Sequence, residues 1–237
     1  MPERVVVVGG DAAGMTAASQ LRRRADPSDV EIVVLERSPW VSYSACGIPY
    51  WVAGQVAGPD ALVARTAAEH RARGIEVRLG CEATEIDLAT GHVRTAAGES
   101  LGFDELVIAT GAVPKRPDLP GIDCALGVQT LQDGQQVLDR LGQLADGSRA
   151  VVVGAGYIGV EMAEAMVRRG LTVTLVDSGP EPMHTLDPDM GALIRTAMTG
   201  MGITVSTGAT VVGVETAADG NARRVVTDQG EHDADIV

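Results

Sequence analysis

The sequence predicts an α/β chain made of two copies of one parallel β-α-β plan. Three observations carry that prediction. An uninterrupted apolar run leads into a glycine-rich turn and a small-residue helix at Arg4 and again at Arg149. In each copy a second apolar run ends on a carboxylate, Glu36 in the first and Asp177 in the second. A proline-rich stretch separates the copies. Unbroken β-branched runs suit strands that are covered on both faces, as in a parallel sheet.

In chain order, the first copy opens with the strand-like "RVVVVGG". It continues into the helix "AAGMTAASQLRRR" and returns through "EIVVLE" to Glu36. "GIEVRLGCEATEID" from Gly74 then reads as a short strand leading into alternating, hairpin-rich sequence. "FDELVIATG" closes the copy. The linker "GAVPKRPDLPG" has three prolines in eleven residues, which places domains at 1–113 and 114–237. The second copy repeats the order with "RAVVVGAG", the helix "YIGVEMAEAMVRRG", the strand "LTVTLVD" and then "GITVSTGATVVGVE". Its last piece, "DADIV", aligns Val237 with Val107. The second domain is therefore expected to stop before its last strand is complete, short of counterparts to Ile108, Ala109, Thr110 and Gly111. Glu36 and Ile75 lie 39 positions apart, whereas Asp177 and Ile203 lie 26 apart. The extra segment carries "SYSACGIPYW", with Cys46 at its centre.

Composition narrows the function classes. The chain has 237 residues, 45% of them hydrophobic, enough to bury a sizeable core. A formal charge of −13, with basic clustering only at Arg22, Arg23 and Arg24, argues against nucleic acid or an anionic membrane surface as partner. No apolar run is long enough to span a bilayer, so the expected location is the cytoplasm. Cys46, Cys81 and Cys124 are too few and too scattered for a disulfide framework. The histidines at 70, 92, 184 and 232 show no ligand spacing, so no metal is expected.

The glycine turns carry the chemistry. "GAGYIG", Gly154 to Gly159, is a G-x-G-x-x-G turn between strand and helix, the setting in which backbone N–H groups cradle a pyrophosphate. Gly154 allows the tight turn, Gly156 the close approach of phosphate, and Gly159 the close packing of helix on strand. Asp177 follows at a strand end, where a carboxylate binds a ribose 2′-hydroxyl and repels a 2′-phosphate. No arginine follows it in "DSGPEPM", so NADH is expected over NADPH. The first turn, "GGDAAG", keeps Gly9 and Gly14 but has Asp11 at the middle position, so that side chain is expected to turn away or to bind through water.

Two such dinucleotide folds in series, a cysteine-bearing insert after the first and the "ATG" turn at Ala109 to Gly111 resemble the pyridine nucleotide-disulfide oxidoreductases. The resemblance implies two Rossmann-like domains, FAD on the first and NAD(P)H on the second, both incomplete at the C-terminus of this chain. It places FAD at Gly9, Gly10, Ala13, Gly14, Glu36, Arg37, Thr110 and Gly111. It places the nicotinamide dinucleotide at Gly154, Gly156, Tyr157, Ile158, Gly159 and Asp177, with Tyr157 similar to the family's aromatic lid. Position 51 is Trp and position 49 is Pro, so neither the C-x4-C nor the C-x-x-C pair of other branches is present. "SYSACGIPYWVAG" resembles the single-cysteine branch, which includes coenzyme A-disulfide reductases, persulfide reductases, NADH oxidases and NADH peroxidases.

That resemblance makes Cys46 the redox residue and a small disulfide or persulfide, such as coenzyme A disulfide, the acceptor. By position Thr16, Gln20, Arg23 and Ser42 contact the bound coenzyme A. Ala45 stands where that subgroup has asparagine, and Ala12 where peroxidases have histidine. Two alternatives stay open: oxygen or peroxide reduction through a Cys46 sulfenic acid, and a nucleotide-binding fragment without turnover. Complete relatives finish the FAD domain, add a dimerisation domain and are homodimers, so the full-length form is expected to be a homodimer.

Overall fold

The computed structural model describes residues 2–237. By contact the chain divides into two compact units. One runs up to Ser44 and resumes at Asp60–Val113; the other joins Ala45–Pro59 to Pro114–Val237.

The first unit begins with β1 (Glu3–Val8), α1 (Ala12–Arg24) and β2 (Val30–Glu36). α2 (Ile48–Val52) comes next in the chain but belongs to the second unit. α3 (Ala67–Arg71) and β3 (Glu76–Leu79) come after it, then β4 (Ala83–Asp87), β5 (His92–Thr95), β6 (Ser100–Gly102) and β7 (Glu105–Ile108). The main sheet is parallel in the order β3-β2-β1-β7, and β4-β5-β6 form a separate antiparallel sheet. The unbroken apolar runs of the main sheet have a simple cause. Val5, Val7, Ile32 and Val34 pack with Met15 and Ala18 of α1 on one face, while Val6, Val8, Val33 and Leu35 meet Val93 and Leu101 of β5 and β6 on the other. Each fully buried valine here contributes about 1.5–2 kcal/mol of transfer free energy.

The second unit contains α4 (Leu131–Leu141), β8 (Arg149–Val153), α5 (Tyr157–Arg168), β9 (Thr172–Asp177), α6 (Pro188–Gly200) and β10 (Thr204–Thr207). β11 (Val211–Thr216), β12 (Ala222–Thr227) and β13 (Gly230–Asp233) complete it. β10-β9-β8 are parallel, and β11-β12-β13 form an antiparallel sheet whose Val214 and Val225 share a core with Val151 and Val176. Gly121, at φ 72° before this unit's core, is required: a Cβ there would lie 1.9 Å from the Val214 carbonyl oxygen.

The two units repeat one another down to single hydrogen bonds, and this corrects one detail of the sequence alignment. Asp104 accepts the Arg4 amide at 2.7 Å and Asp235 accepts the Arg149 amide at 2.8 Å. Glu105 pairs with Val5, and Ile236 makes a parallel bridge to Ala150. Val237 therefore corresponds to Leu106, not to Val107. The aspartate that clamps the start of the neighbouring strand sets the register, whereas matching apolar residues alone slides it by one.

Candidate functional site

Each unit ends its first strand in the same turn. Gly9 and Gly154 adopt φ 107° and 99°, a region open to glycine, and each donates its N–H to the neighbouring strand, to Leu35 O at 2.9 Å and Val176 O at 2.8 Å. Gly14 and Gly159 let the adjoining helix touch the turn, since a Cβ on either would lie 1.9 Å and 1.8 Å from the carbonyl oxygens of Gly9 and Gly154. The strand-end carboxylates then tie each turn together. Glu36 accepts Gly10 N at 2.7 Å and Ser38 N at 2.8 Å; Asp177 accepts Ala155 N at 2.6 Å and Gly179 N at 2.6 Å. Each carboxylate oxygen keeps acceptor capacity for a ribose hydroxyl beyond its backbone partner.

Above the second turn there is room for a ligand. A Cβ on Gly156 would meet nothing within 4 Å, and Tyr157 and Ile158 at the start of α5 are 64% and 42% exposed. Gly154, Gly156, Ile158 and Gly159 line one cavity of about 400 Å³ that also runs along the open edge of β8. The first turn brings Gly9, Gly10, Ala13, Gly14 and Glu36 together, with Ala109 of the "ATG" turn packed on Gly9. Thr110, Gly111 and Arg37 are exposed. The second turn, with an open helix N-terminus and a carboxylate at the strand end, fits a dinucleotide; the first has the same carboxylate, with Asp11 at its helix N-terminus.

Asp11 takes the first of its two expected courses. Its carboxylate accepts the Tyr43 amide at 3.3 Å. Partial burial raises its pKa, and the negative Glu36 adds to this, while the amides of Tyr43 and Ala12 oppose it.

Residues 42–44 form a strap across the first turn that the sequence did not reveal. Ser42 donates its amide to Gly10 O at 3.1 Å and accepts Ala64 N at 2.8 Å; its hydroxyl meets His70 Nε2 at 3.0 Å. Ser42 is left-handed at φ 49°, which costs a non-glycine residue about 1 kcal/mol. These bonds hold it there. His70 is 1% exposed, and its Nδ1 is buried with no hydrogen-bond partner. A lone histidine in the short amphipathic segment "AAEHR" carries no sequence signal for this role. Burial lowers the His70 pKa, Arg65 and Arg73 lower it further, and Glu69 opposes them.

This lowered pKa fixes the sign of a pH dependence. The unfolded chain takes up the proton first, near pH 6.5, so this stabilisation is complete above that value and is lost as pH falls towards the folded pKa. Urea unfolding of the first unit is expected to weaken with a slope of up to about 1.4 kcal/mol per pH unit below pH 6.5. His70→Gln should flatten that slope; an unchanged slope would assign the effect to other groups.

The substrate-contact candidates divide. Thr16, Gln20 and Arg23 fall at i, i+4 and i+7 on one exposed face of α1, opposite the buried Met15 and Ala18. Ser42 instead turns its hydroxyl to His70.

Cys46 lies in the single 3-10 turn Ala45–Gly47 and is exposed. The helix directly after it is firmly anchored. Ile48, Trp51 and Val52 of α2 are 1%, 5% and 0% exposed, and α2 packs on α4 and α5. Gly134 of α4 makes room, because a Cβ there would come within 2.9 Å of both Ile48 and Trp51. Arg169 donates from Nε to the Val52 carbonyl. A mobile-looking loop sequence is thus a short thiol-bearing turn on a fixed helix. Cys81 and Cys124 are partly buried, and burial raises both their pKa values.

Paired glycine turns with strand-end carboxylates, and a lone exposed thiol beside an anchored helix, agree with what comparison finds. The family model for pyridine nucleotide-disulphide oxidoreductases matches residues 3–237. The chain belongs to that family. With the family goes its cofactor pair, FAD and a nicotinamide dinucleotide. Among curated relatives, an NAD(P)H coenzyme A polysulfide/persulfide reductase of Pyrococcus horikoshii is 33% identical over 242 residues, covering 100% of this chain and 53% of the relative. An NADH oxidase of Methanocaldococcus jannaschii is 33% identical over 211 residues, 85% of this chain and 46% of the relative. Among solved structures, a NAD-dependent persulfide reductase from A. fulgidus superposes with a TM-score of 0.91 at 33% identity, over 99% of this chain and 45% of that one. The chain spans about half the length of the curated relatives it matches. Among the described residues no helix is long and apolar enough to cross a membrane.

Proposed function

We propose that this pyridine nucleotide-disulphide oxidoreductase chain is the part of an NADH-dependent flavoenzyme that holds both dinucleotides and the reacting thiol, and that its acceptor is coenzyme A disulfide or a related small disulfide or persulfide. The observation that carries this reading is the exposed Cys46, the one cysteine not shielded by packing, on a turn anchored by Ile48, Trp51 and Val52. In this reading FAD is held by the first turn, with Glu36 on its ribose, and NADH by the second, with Asp177 on its ribose. FAD, when bound, supplies the relay of two electrons from NADH to sulfur.

The chain's own residues do the rest. As thiolate, Cys46 attacks one sulfur of the disulfide, the S–S bond breaks, and one thiolate leaves. Two electrons and a proton then cleave the mixed disulfide, releasing the second thiol and restoring the Cys46 thiolate. With oxygen or peroxide as acceptor the same sulfur cycles through sulfenic acid. The relative named as an NADH oxidase keeps that second reading open. Ala12, in place of a histidine, weighs against peroxide.

The deciding experiment uses the protein reconstituted with FAD. Anaerobic NADH oxidation should depend on added coenzyme A disulfide, and oxygen alone should support much less. Equal rates with oxygen alone would favour the oxidase. On the nucleotide side, Asp177→Ala is expected to relax the preference for NADH over NADPH by about tenfold, read as the ratio of dissociation constants. An unchanged ratio would remove Asp177 from the ribose site.

A further inference from the structure

The segment directly after Asp177, "SGPEPM", holds no arginine, but the fold brings one to that corner from further along the chain. Arg195 lies midway along α6, and its side chain reaches back to the carboxyl end of the sheet. There Nη2 donates to Pro180 O at 2.6 Å and to Thr207 Oγ1 at 2.9 Å, and Nε donates to Glu181 at 2.8 Å. Thr207 is the residue paired with Asp177 between β10 and β9, and paired strands lie only about 4.8 Å apart. The intervening loop joins the two positions directly. Gly179 donates its N–H to Asp177 at 2.6 Å and accepts Gly208 N at 2.7 Å. Both members of the ion pair remain open to solvent, with side-chain exposures of 39% for Arg195 and 23% for Glu181.

A guanidinium next to the ribose carboxylate is the group that receives a 2′-phosphate, by charge and by its forked donors. Here Glu181 occupies it. We propose that Arg195 is a latent site for the 2′-phosphate of an adenine dinucleotide, held closed by Glu181. Two carboxylates then select the coenzyme: Asp177 by meeting a 2′-hydroxyl and repelling a 2′-phosphate, and Glu181 by cancelling a cation placed to bind that phosphate. The inference rests on the reading of the second glycine turn as the nicotinamide dinucleotide site. Because both carboxylates act on one phosphate, their removal is coupled and not additive.

Calorimetric titration of the 237-residue chain with NAD⁺ and with NADP⁺, at low salt, tests it. Glu181→Gln keeps the side chain's shape and should leave NAD⁺ affinity unchanged while tightening NADP⁺ about fivefold, the scale of a half-exposed charge pair. Asp177→Asn with Glu181→Gln should tighten NADP⁺ by more than the product of the single effects. Adding Arg195→Gln should abolish the gain, and Arg195→Lys should keep part of it. The proposal is overturned if Glu181→Gln, and equally Glu181→Ser, leave NADP⁺ affinity at the wild-type value, or if the gain survives Arg195→Gln. Those outcomes with normal NAD⁺ binding remove only the latent site. Absence of NAD⁺ binding in the wild type removes the dinucleotide reading and this inference with it.

Discussion

Cys46→Ser is expected to abolish the fast reaction of the chain with a small disulfide. The wild-type chain mixed with excess coenzyme A disulfide should release one equivalent of thiol rapidly and gain one coenzyme A, and the variant should react at least about tenfold more slowly. The reason lies in the contrast between the three cysteines. Cys46 is exposed on its turn, whereas Cys81 and Cys124 are partly covered and burial raises their pKa values, leaving less thiolate at neutral pH. Disulfide exchange needs both thiolate and access. The measurement is a stopped-flow thiol assay followed by intact mass, and it requires no bound flavin. If the variant keeps the fast phase, the reacting thiol is Cys81 or Cys124 and the mechanism proposed for Cys46 is withdrawn. In the protein reconstituted with FAD the same substitution should stop disulfide-dependent NADH oxidation while leaving nucleotide binding intact.

Gly9→Ala should strongly destabilise the first unit, costing about 3 kcal/mol or more. Two costs add at this position. At φ 107° an L-residue is strained by about 1–2 kcal/mol. The new Cβ would also lie 2.2 Å from the Ala109 carbonyl oxygen, and Ala109 cannot easily move because its amide is bonded to Val8 O at 2.8 Å. Overpacking against fixed backbone adds roughly 1–3 kcal/mol. Gly154→Ala is the internal control, since Gly154 has φ 99° but a Cβ there meets nothing within 4 Å. It should cost only the strain. Urea unfolding followed unit by unit measures both, and a Gly9→Ala loss no larger than that of Gly154→Ala would show that the contact with the "ATG" turn is not rigid.

Much of this was legible in one dimension. Apolar runs such as "RVVVVGG" mark strands buried on both faces. Glycines at the turn positions and a carboxylate at each strand end are legible because their spacing is local in the chain and the turn geometry requires them. Other features had no sequence signal. Ser42 meets His70 across 28 positions, Arg169 reaches Val52 across 117, and Gly134 is needed only because Ile48 and Trp51 pack upon it. The one-residue slip at Val237 has the same origin, because the register is held by Asp235 on Arg149 across 86 positions.

The chain alone determined the duplicated α/β plan, the two glycine turns with Glu36 and Asp177, and the single cysteine without a nearby partner, because each depends on residues close in sequence and on local backbone geometry. Only the tertiary structure decided that Asp11 turns to Tyr43, that Ser42 is spent on His70, that the thiol turn stands on a buried helix, and that Arg195 and Glu181 meet near Asp177. Those arrangements depend on contacts between distant segments. Distance along the chain carries no information about them until the strands and helices are packed.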